Sequence, residues 1–264
     1  MPEVRQWDGQ TYDRISGPMQ ALGLAVLDRL SLRGDETVLD AGCGSGRITE
    51  TLIERLPRGR VIAVDASASM VAAARERLGP DADIRQADLL ELELDEPLDA
   101  ILSTATFHWI ADHERLFARL HAALLVDSGM RAKRVSPELA GGRLLAQCGG
   151  EGNIDVLRGV AHTILEREPY AAHFRDWRPP WNYAGPEVTR ERLLAAGFVS
   201  AECWLQPAPQ EPEDARAFLA TIVLGPHVQH LPAELRDPFL DTVLDELGEP
   251  VVVDYVRLNI DAVA

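Results

Sequence analysis

Apolar residues along this chain fall into short blocks whose spacing switches between continuous runs and helical periods. Thr37-Val38-Leu39-Asp40-Ala41 is a compact run that ends at a glycine cluster and predicts a buried strand. Ile48, Leu52, Ile53 and Leu56 then recur at helical spacing until Pro57 and Gly59 stop the helix. Arg60 to Asp65 predicts a second strand, and Ser67 can cap a helix carrying Met70, Val71, Ala74 and Leu78 that ends at Gly79-Pro80. A third strand is predicted over Ile84 to Ala87 and a fourth over Leu98 to Ser103. Asp112 then caps a helix bearing Leu116, Leu120 and Leu124, and Gly142 to Gln147 makes a fifth strand. Strands alternating with helices through short connections imply an α/β fold, an open parallel sheet with helices on both faces.

Outside this unit the pattern is looser. A helix is predicted over Gly17 to Leu30, preceded by a segment holding Trp7 and Tyr12. The stretch Glu151 to Pro186 mixes Tyr170, Trp177, Trp181 and Tyr183 with prolines and arginines. Val188 to Ala196 reads as a helix ending at Gly197, and Phe198 to Leu205 as a strand. Asp214 to Leu247 is mostly helical, and Val251 to Ile260 is a last strand pattern. Val126 to Ala140 reads as a long loop between a helix and the fifth strand.

Composition narrows the class. With 264 residues and 46% hydrophobic positions the chain can bury a substantial core without disulfides. Its formal charge of −16 repels a phosphate backbone unless basic residues cluster, and none cluster strongly, so neither nucleic acid nor an anionic membrane is an expected partner. No apolar run approaches the roughly eighteen residues of a membrane span, and no secretory signal is read after Met1. Cys43, Cys148 and Cys203 lie far apart and lack zinc-site spacing, which fits reduced thiols in a cytoplasmic protein with no metal.

The sharpest motif is Asp40-Ala41-Gly42-Cys43-Gly44-Ser45-Gly46, at the carboxyl end of the first strand. In open α/β sheets ligands bind along that edge, and glycines permit close approach. Two more acids end the next strands. Asp65 is placed to accept both hydroxyls of a ribose, and Asp88 to accept from an exocyclic amine. The dinucleotide fingerprint GxGxxG is not matched, because Gly46 arrives one residue early and Arg47 takes the third position. A nucleoside with a cationic or zwitterionic tail suits these acids better than a pyrophosphate does.

These residues resemble the motifs of class I S-adenosylmethionine-dependent methyltransferases. The likeness extends through Phe107-His108-Trp109, Gly141-Gly142-Arg143-Leu144 and the Glu191 to Phe198 helix end, and is greatest toward the branch of trans-aconitate and malonyl-acyl-carrier-protein methyltransferases. It implies a Rossmann-like, seven-stranded, mostly parallel sheet with a helical lid. The whole chain, 1–264, is then one methyltransferase domain, with 1–33 as an N-terminal cover, 34–150 as the cofactor-binding core, and 151–187 and 208–248 as lid-like insertions. It further implies that Asp40 and the Gly42, Gly44 and Gly46 backbone hold the amino-acid portion of S-adenosyl-L-methionine. By the same likeness Asp65 takes the ribose, Met70 packs near the adenine, Asp88 and Leu89 bind its edge, and Ser103 and Thr104 lie beneath the sulfonium. The chain departs from the family between Leu125 and Gly141, where an extended loop and Ala140 replace a short turn ending in Pro-Gly-Gly.

Methyl transfer needs donor and acceptor oriented and water excluded, and an acceptor that carries a proton also needs a base. His108 is the candidate base, or else a histidine that braces its loop. Trp7, Tyr12, Trp109, Arg175, Trp177 and Trp181 are candidates for the acceptor pocket, the aromatic–arginine group suiting an anionic or flat substrate or simply burying its own rings. The expected function is methyl transfer to a small molecule, at a carboxylate or hydroxyl oxygen. The alternatives are an NAD-type oxidoreductase and a non-methylating S-adenosylmethionine-binding protein.

Overall fold

A computed structural model describes residues 14–15, 17–124 and 141–264; Trp7, Tyr12 and the 126–140 loop lie outside the described residues. Its elements begin with α1 (Gly17–Leu27), β1 (Thr37–Ala41), α2 (Arg47–Arg55), β2 (Arg60–Asp65), α3 (Ala68–Leu78), β3 (Asp83–Gln86) and β4 (Ala100–Thr104). A 3-10 turn over Phe107–Trp109 leads into α4 (His113–Ala123), followed by β5 (Arg143–Gly149), α5 (Asp155–Leu165), α6 (Ala171–Phe174), α7 (Pro186–Ala196) and β6 (Ser200–Pro207). The chain closes with α8 (Ala215–Phe218), a π-helical turn over Leu219–Val223, α9 (Gly225–His230), α10 (Ala233–Leu247) and β7 (Val256–Val263).

The seven strands form one sheet in the order β3-β2-β1-β4-β5-β7-β6. β1 to β5 are mutually parallel, and β7 runs antiparallel to both β5 and β6. The order reverses direction between β1 and β4, and the carboxyl ends of those two strands flank the crevice where such sheets take their ligands. Alternation along each strand assigns the two faces. Leu39, Ile101, Leu144, Leu258 and Ile260 pack with Phe107, Leu116, Phe117 and Leu193 from the α4 and α7 side. Val38, Ala100, Leu102 and Leu145 pack with Val26, Leu27, Ile48 and Leu52 from α1 and α2. The helix ends follow local chemistry: Ser67 Oγ accepts from Met70 N–H, Asp112 accepts from Arg115 N–H, and Gly197 closes α7 in the left-handed region.

A second apolar cluster is built from α5, the 170–183 stretch, α8 to α10 and the strand approach at Val251, Val253 and Tyr255. It is fastened at the carboxyl ends of β4 and β5, where Asn182 N–H donates to His108 O (2.8 Å) and Glu151 N–H to Ala184 O (3.1 Å). Here the structure departs from the sequence pattern. The Val251 to Ile260 alternation does not begin a strand at Val251. Val253 bridges only to Gln210, and ladder pairing with β5 and β6 starts at Val256. The apolar residues before it are buried by the helical cluster, and their backbone bonds go to the segment after β6, with Val253 exchanging N–H···O bonds with Gln210 and Tyr255 O accepting from Ala208 N–H. Helix α5 lies inside a stretch that reads as aromatic and irregular, although Leu157, Ala161, Ile164 and Leu165 are spaced for a helix and are buried.

Candidate functional site

β1 delivers Asp40 and the glycine loop into the crevice, and the loop is docked on the end of β2. Gly42 and Cys43 N–H both donate to Val64 O (2.8 and 3.0 Å). Gly42, Gly44 and Gly46 all have positive φ, and Gly46 leads directly into α2. A Cβ on Gly42 would stand 2.1 Å from Thr106 Oγ1, so this glycine is required by the close approach of the β4 loop. Gly44 differs, since a Cβ there would meet nothing within 4 Å and would project into the open face of the loop.

Asp40 is 1% exposed. Its Oδ2 accepts from the Thr49 hydroxyl at 2.7 Å, whereas Oδ1 is buried with no partner among the described residues. Burial raises its pKa to about 6, with the charge of Asp65 adding to the rise and the Thr49 hydrogen bond opposing it. A buried carboxylate oxygen with nothing to accept from is costly, and a cationic donor brought by a ligand relieves the cost. Asp65 accepts from Gly44 N–H at 2.9 Å and Ser67 N–H at 2.8 Å, so the acid at the end of β2 also ties the glycine loop to the start of α3. Burial lifts its pKa, and those two backbone hydrogen bonds partly offset the lift.

The other sequence candidates divide. Met70 is buried on α3 beside the capping Ser67. Asp88 is half-buried and accepts from Leu90 N–H at 2.9 Å, and the Leu89 side chain belongs to the main core. The Ser103 hydroxyl is turned into the protein and donates to Ala41 O at 2.7 Å, tying β4 to β1. Thr104 is half-buried, with its Oγ1 toward Gly23 of α1. Ala105 then takes φ +56, a left-handed conformation rare for a residue with a Cβ. In the loop so formed, the Thr106 hydroxyl donates to Gly42 O at 3.2 Å. Neither threonine carries a local sequence signal, because Thr49 reaches Asp40 only once the glycine loop folds back and Thr106 meets Gly42 from 64 residues away.

Further along the same edge the lining changes to rings. His108 is buried, and its Nδ1 accepts from Gly149 N–H at 3.2 Å. Burial first, then the charges of Arg257 and His113, hold its pKa well below the ordinary histidine value. A neutral ring that accepts at Nδ1 carries its proton on Nε2, so His108 faces its surroundings as a donor. Its ring lies 5.0 Å from Trp109 and 5.8 Å from Tyr183 between centroids. Trp181 stacks on Tyr183 at 5.9 Å with planes 9° apart, and sits 6.2 Å from Trp109 and 5.5 Å from His227. Trp177 packs 4.7 Å from His227, whose pKa burial pulls down to about 3, helped by the charges of Arg158 and His230. Trp109, Trp177 and Trp181 therefore share one aromatic wall. Arg175 is exposed, and a cation found against the wall is Arg158, 5.7 Å from the Tyr183 ring. Tyr183, His227 and Arg158 had no local motif to mark them.

The nucleoside half of the edge fits S-adenosylmethionine on these observations. The unpartnered Oδ1 of Asp40 calls for a cation such as the ammonium of an amino acid, and Gly44 leaves a side open to a ligand. Comparison with known proteins agrees. The methyltransferase domain family profile matches residues 38–127. A protein of Acidovorax ebreus named trans-aconitate 2-methyltransferase is 35% identical over 252 residues, covering 93% of this chain and 90% of the relative. One of the same name from Methylobacterium nodulans is 32% identical over 209 residues, covering 78% and 69%. Among solved structures, Haemonchus contortus phosphoethanolamine N-methyltransferase 2 in complex with S-adenosyl-L-methionine aligns with TM-score 0.59 and 20% identity over 97% of this chain and 56% of that one, a likeness of fold. These findings set aside the NAD-type oxidoreductase and the non-methylating binder. The chain belongs to the class I S-adenosylmethionine-dependent methyltransferases, and S-adenosyl-L-methionine is its cofactor.

Proposed function

We propose that this enzyme methylates a carboxylate oxygen of a small organic acid, with trans-aconitate the first acceptor to test. The observation that carries the reading is the state of the titratable groups beside the aromatic wall. The Nδ1 lone pair of His108 is committed to Gly149 N–H, and its pKa lies well below the ordinary value. Burial drives the Tyr183 phenol far above its usual range, and holds Cys148 at about 11. None of these groups is poised near neutral pH to take a proton from an alcohol or an amine. A carboxylate is already ionised and needs no base. The names of the relatives point the same way.

In this reading Asp40 receives the ammonium of the cofactor, and the Gly42 to Gly46 backbone lies along its amino-acid portion. Asp65 takes the ribose hydroxyls, Asp88 with Leu89 takes the adenine edge, and Met70 packs near the base. Bound there, S-adenosylmethionine supplies an electrophilic methyl group on a sulfonium. Ser103 acts by fixing the end of β4 against β1, and Thr104 and the strained Ala105 set the floor of the crevice. His108 donates from Nε2 to orient the acceptor rather than removing a proton. Trp109, Trp177, Trp181 and Tyr183 exclude water, and the helical cluster of α5, α6 and α8 to α10 closes over the acceptor as a lid.

Incubation of the enzyme with S-adenosylmethionine and trans-aconitate should yield a monomethyl ester detectable by mass spectrometry. With no base to ionise, the rate should stay level from neutral into mildly alkaline pH. Methylation of an alcohol or amine panel in preference to every carboxylate, with a rate that climbs as pH rises, would overturn the reading.

A further inference from the structure

One charged group on this edge has no counterpart in the scheme above. Arg257 stands second in β7, opposite Gly149 at the end of β5. Because β7 runs antiparallel to its neighbours, its first residues lie at the same carboxyl edge as the glycine loop and His108. Arg257 is 3% exposed, and its Nε is buried without a hydrogen-bond partner among the described residues. Arg143, the half-buried arginine of the neighbouring strand, has an anion of its own, pairing with Asp261 at 2.7 Å; Arg29, after α1, donates to Asn259 Oδ1 at 2.9 Å from one nitrogen and has another buried without a partner among the described residues. No described carboxylate forms an ion pair with Arg257.

What surrounds its guanidinium is the aromatic end of the crevice. It lies 5.5 Å from the Tyr255 ring, and its charge reaches His108, Cys148 and Tyr183, favouring neutral His108 and opposing the burial that raises the other two. Arg158 approaches the Tyr183 ring as well, but it is partly exposed and already paired with Asp155 at 3.1 Å. Burying a guanidinium with no anion is costly, and the cost is relieved when a ligand brings the anion into the same desolvated place. The planar fork of arginine matches a carboxylate in two parallel hydrogen bonds.

We propose that Arg257 anchors the methyl acceptor through a carboxylate that is not the one methylated. Resting on the carboxylate-acceptor reading, the distinction follows from charge. A guanidinium gripping the attacking carboxylate would withdraw its nucleophilic electron pair, and the neutral ester formed there would leave Arg257 buried and unpaired again. Held on a second carboxylate, Arg257 keeps its anion from substrate through product, while the reacting carboxylate stays free of strong donors. The enzyme therefore selects acids with at least two carboxylates, and Arg257 is the residue that makes the selection.

The test measures equilibrium binding of trans-aconitate, fumarate and the monoacid crotonate to the full chain loaded with S-adenosylhomocysteine, in wild type, Arg257→Met and Arg257→Lys. Wild type should favour both polyacids over crotonate. Arg257→Met should weaken trans-aconitate and fumarate by roughly 30-fold or more, and collapse their advantage over crotonate to within about threefold. Arg257→Lys, which keeps the charge and loses the fork, should fall between. The apparent melting temperature of the unliganded Arg257→Met protein should equal or exceed that of wild type, since an unpaired buried charge is removed; an arginine that merely supported the fold would lower it.

Equal losses for all three acids, polyacid binding unaffected by either variant, or no polyacid binding by wild type would overturn the anchor. The two readings fail separately. Acids that bind with the Arg257 dependence yet form no methyl ester leave the anchor standing and remove the carboxylate acceptor. Esters formed equally well from crotonate and trans-aconitate in all three proteins do the reverse.

Discussion

Between Asp40 and Asp88 the carboxyl edge of the sheet presents acids tied to backbone N–H and hydroxyl groups; between His108 and Arg257 the same edge presents aromatic rings and guanidinium groups. In the first region the positions are fixed by hydrogen bonds over short distances, such as Asp65 to Gly44 and Ser67 N–H. In the second they are fixed by ring packing between the 3-10 turn after β4 and the helical cluster, as with His108 against Tyr183 and Trp109 against Trp181. The proposed cofactor region is thus a property of backbone shape and the proposed acceptor region one of tertiary packing. Substitutions should separate them, the first acting on cofactor affinity and the second on the acceptor.

The largest effect is expected at Gly42. Gly42→Ala places a Cβ 2.1 Å from Thr106 Oγ1 at a φ of +85°. Backbone strain and overpacking together should cost about 2–5 kcal/mol. Both the melting temperature and S-adenosylhomocysteine affinity should drop. Gly44→Ala meets nothing in the protein, so its melting temperature should fall less while ligand affinity still suffers. Equal thermal losses in the two variants would mean that the β4 loop does not press on the glycine loop as described. Next comes Asp65→Ala, which removes the acceptor for two backbone donors and the proposed ribose partner. Calorimetry with S-adenosylhomocysteine should show a loss of about 1.5–3 kcal/mol; unchanged affinity would show the ribose assignment to be wrong. A matching loss in acceptor affinity would erase the boundary between the two regions.

How far each region could be read from the sequence follows from the same difference. The five parallel strands, the glycine loop and the strand-end acids are each specified within a few residues, so apolar runs ending in glycine or aspartate locate them. The Ser67 and Asp112 caps are legible for the same reason. Asp40 was visible as an acid at a strand end, but its partner Thr49 was not, because a threonine on a helix carries no signal until the turn brings it to 2.7 Å. The proposed acceptor side is assembled from Trp109, Tyr183, His227 and Arg257, which come together only when the second cluster docks. Arg257 carries no local mark, because it shares its strand pattern with Asp254 and Asn259, and only tertiary packing leaves it buried without an ion-pair partner among the described residues. The late start of β7 has the same root, since Val251 and Val253 fill the helical cluster, and Val253 makes only an isolated bridge to Gln210 before the ladder begins.

A smaller effect is expected from pH, and it belongs to the cofactor region alone. Asp40 is lifted to about 6 by burial. From about 4 up to that value the folded chain retains a proton that the unfolded chain has released, so this group makes stability decline as pH rises through the window. Cofactor affinity should run the other way. Only the ionised Oδ1 pairs with an ammonium, so S-adenosylhomocysteine affinity should fall with acidification below about 6, by up to tenfold per pH unit. Asp40→Asn should bind more weakly at neutral pH and lose this dependence. A wild-type affinity flat down to pH 5 would mean that the ammonium sits elsewhere.

The smallest effect is the one that most directly tests the acceptor region. Trp181 lies at the middle of the aromatic wall, stacked on Tyr183 with planes 9° apart and in reach of Trp109 and His227. It has no part in the glycine loop or in the acids that end β1 to β3. Trp181→Ala should therefore raise the KM for the acceptor by about 3- to 10-fold, the scale of a lost aromatic pair, with S-adenosylhomocysteine affinity unchanged. Trp181→Phe keeps a ring against Tyr183 and should restore most of the loss, which distinguishes ring packing from mere bulk. If Trp181→Ala instead weakened the cofactor as much as the acceptor, the wall would be closing over the nucleoside as well. The edge would then work as one continuous surface rather than two.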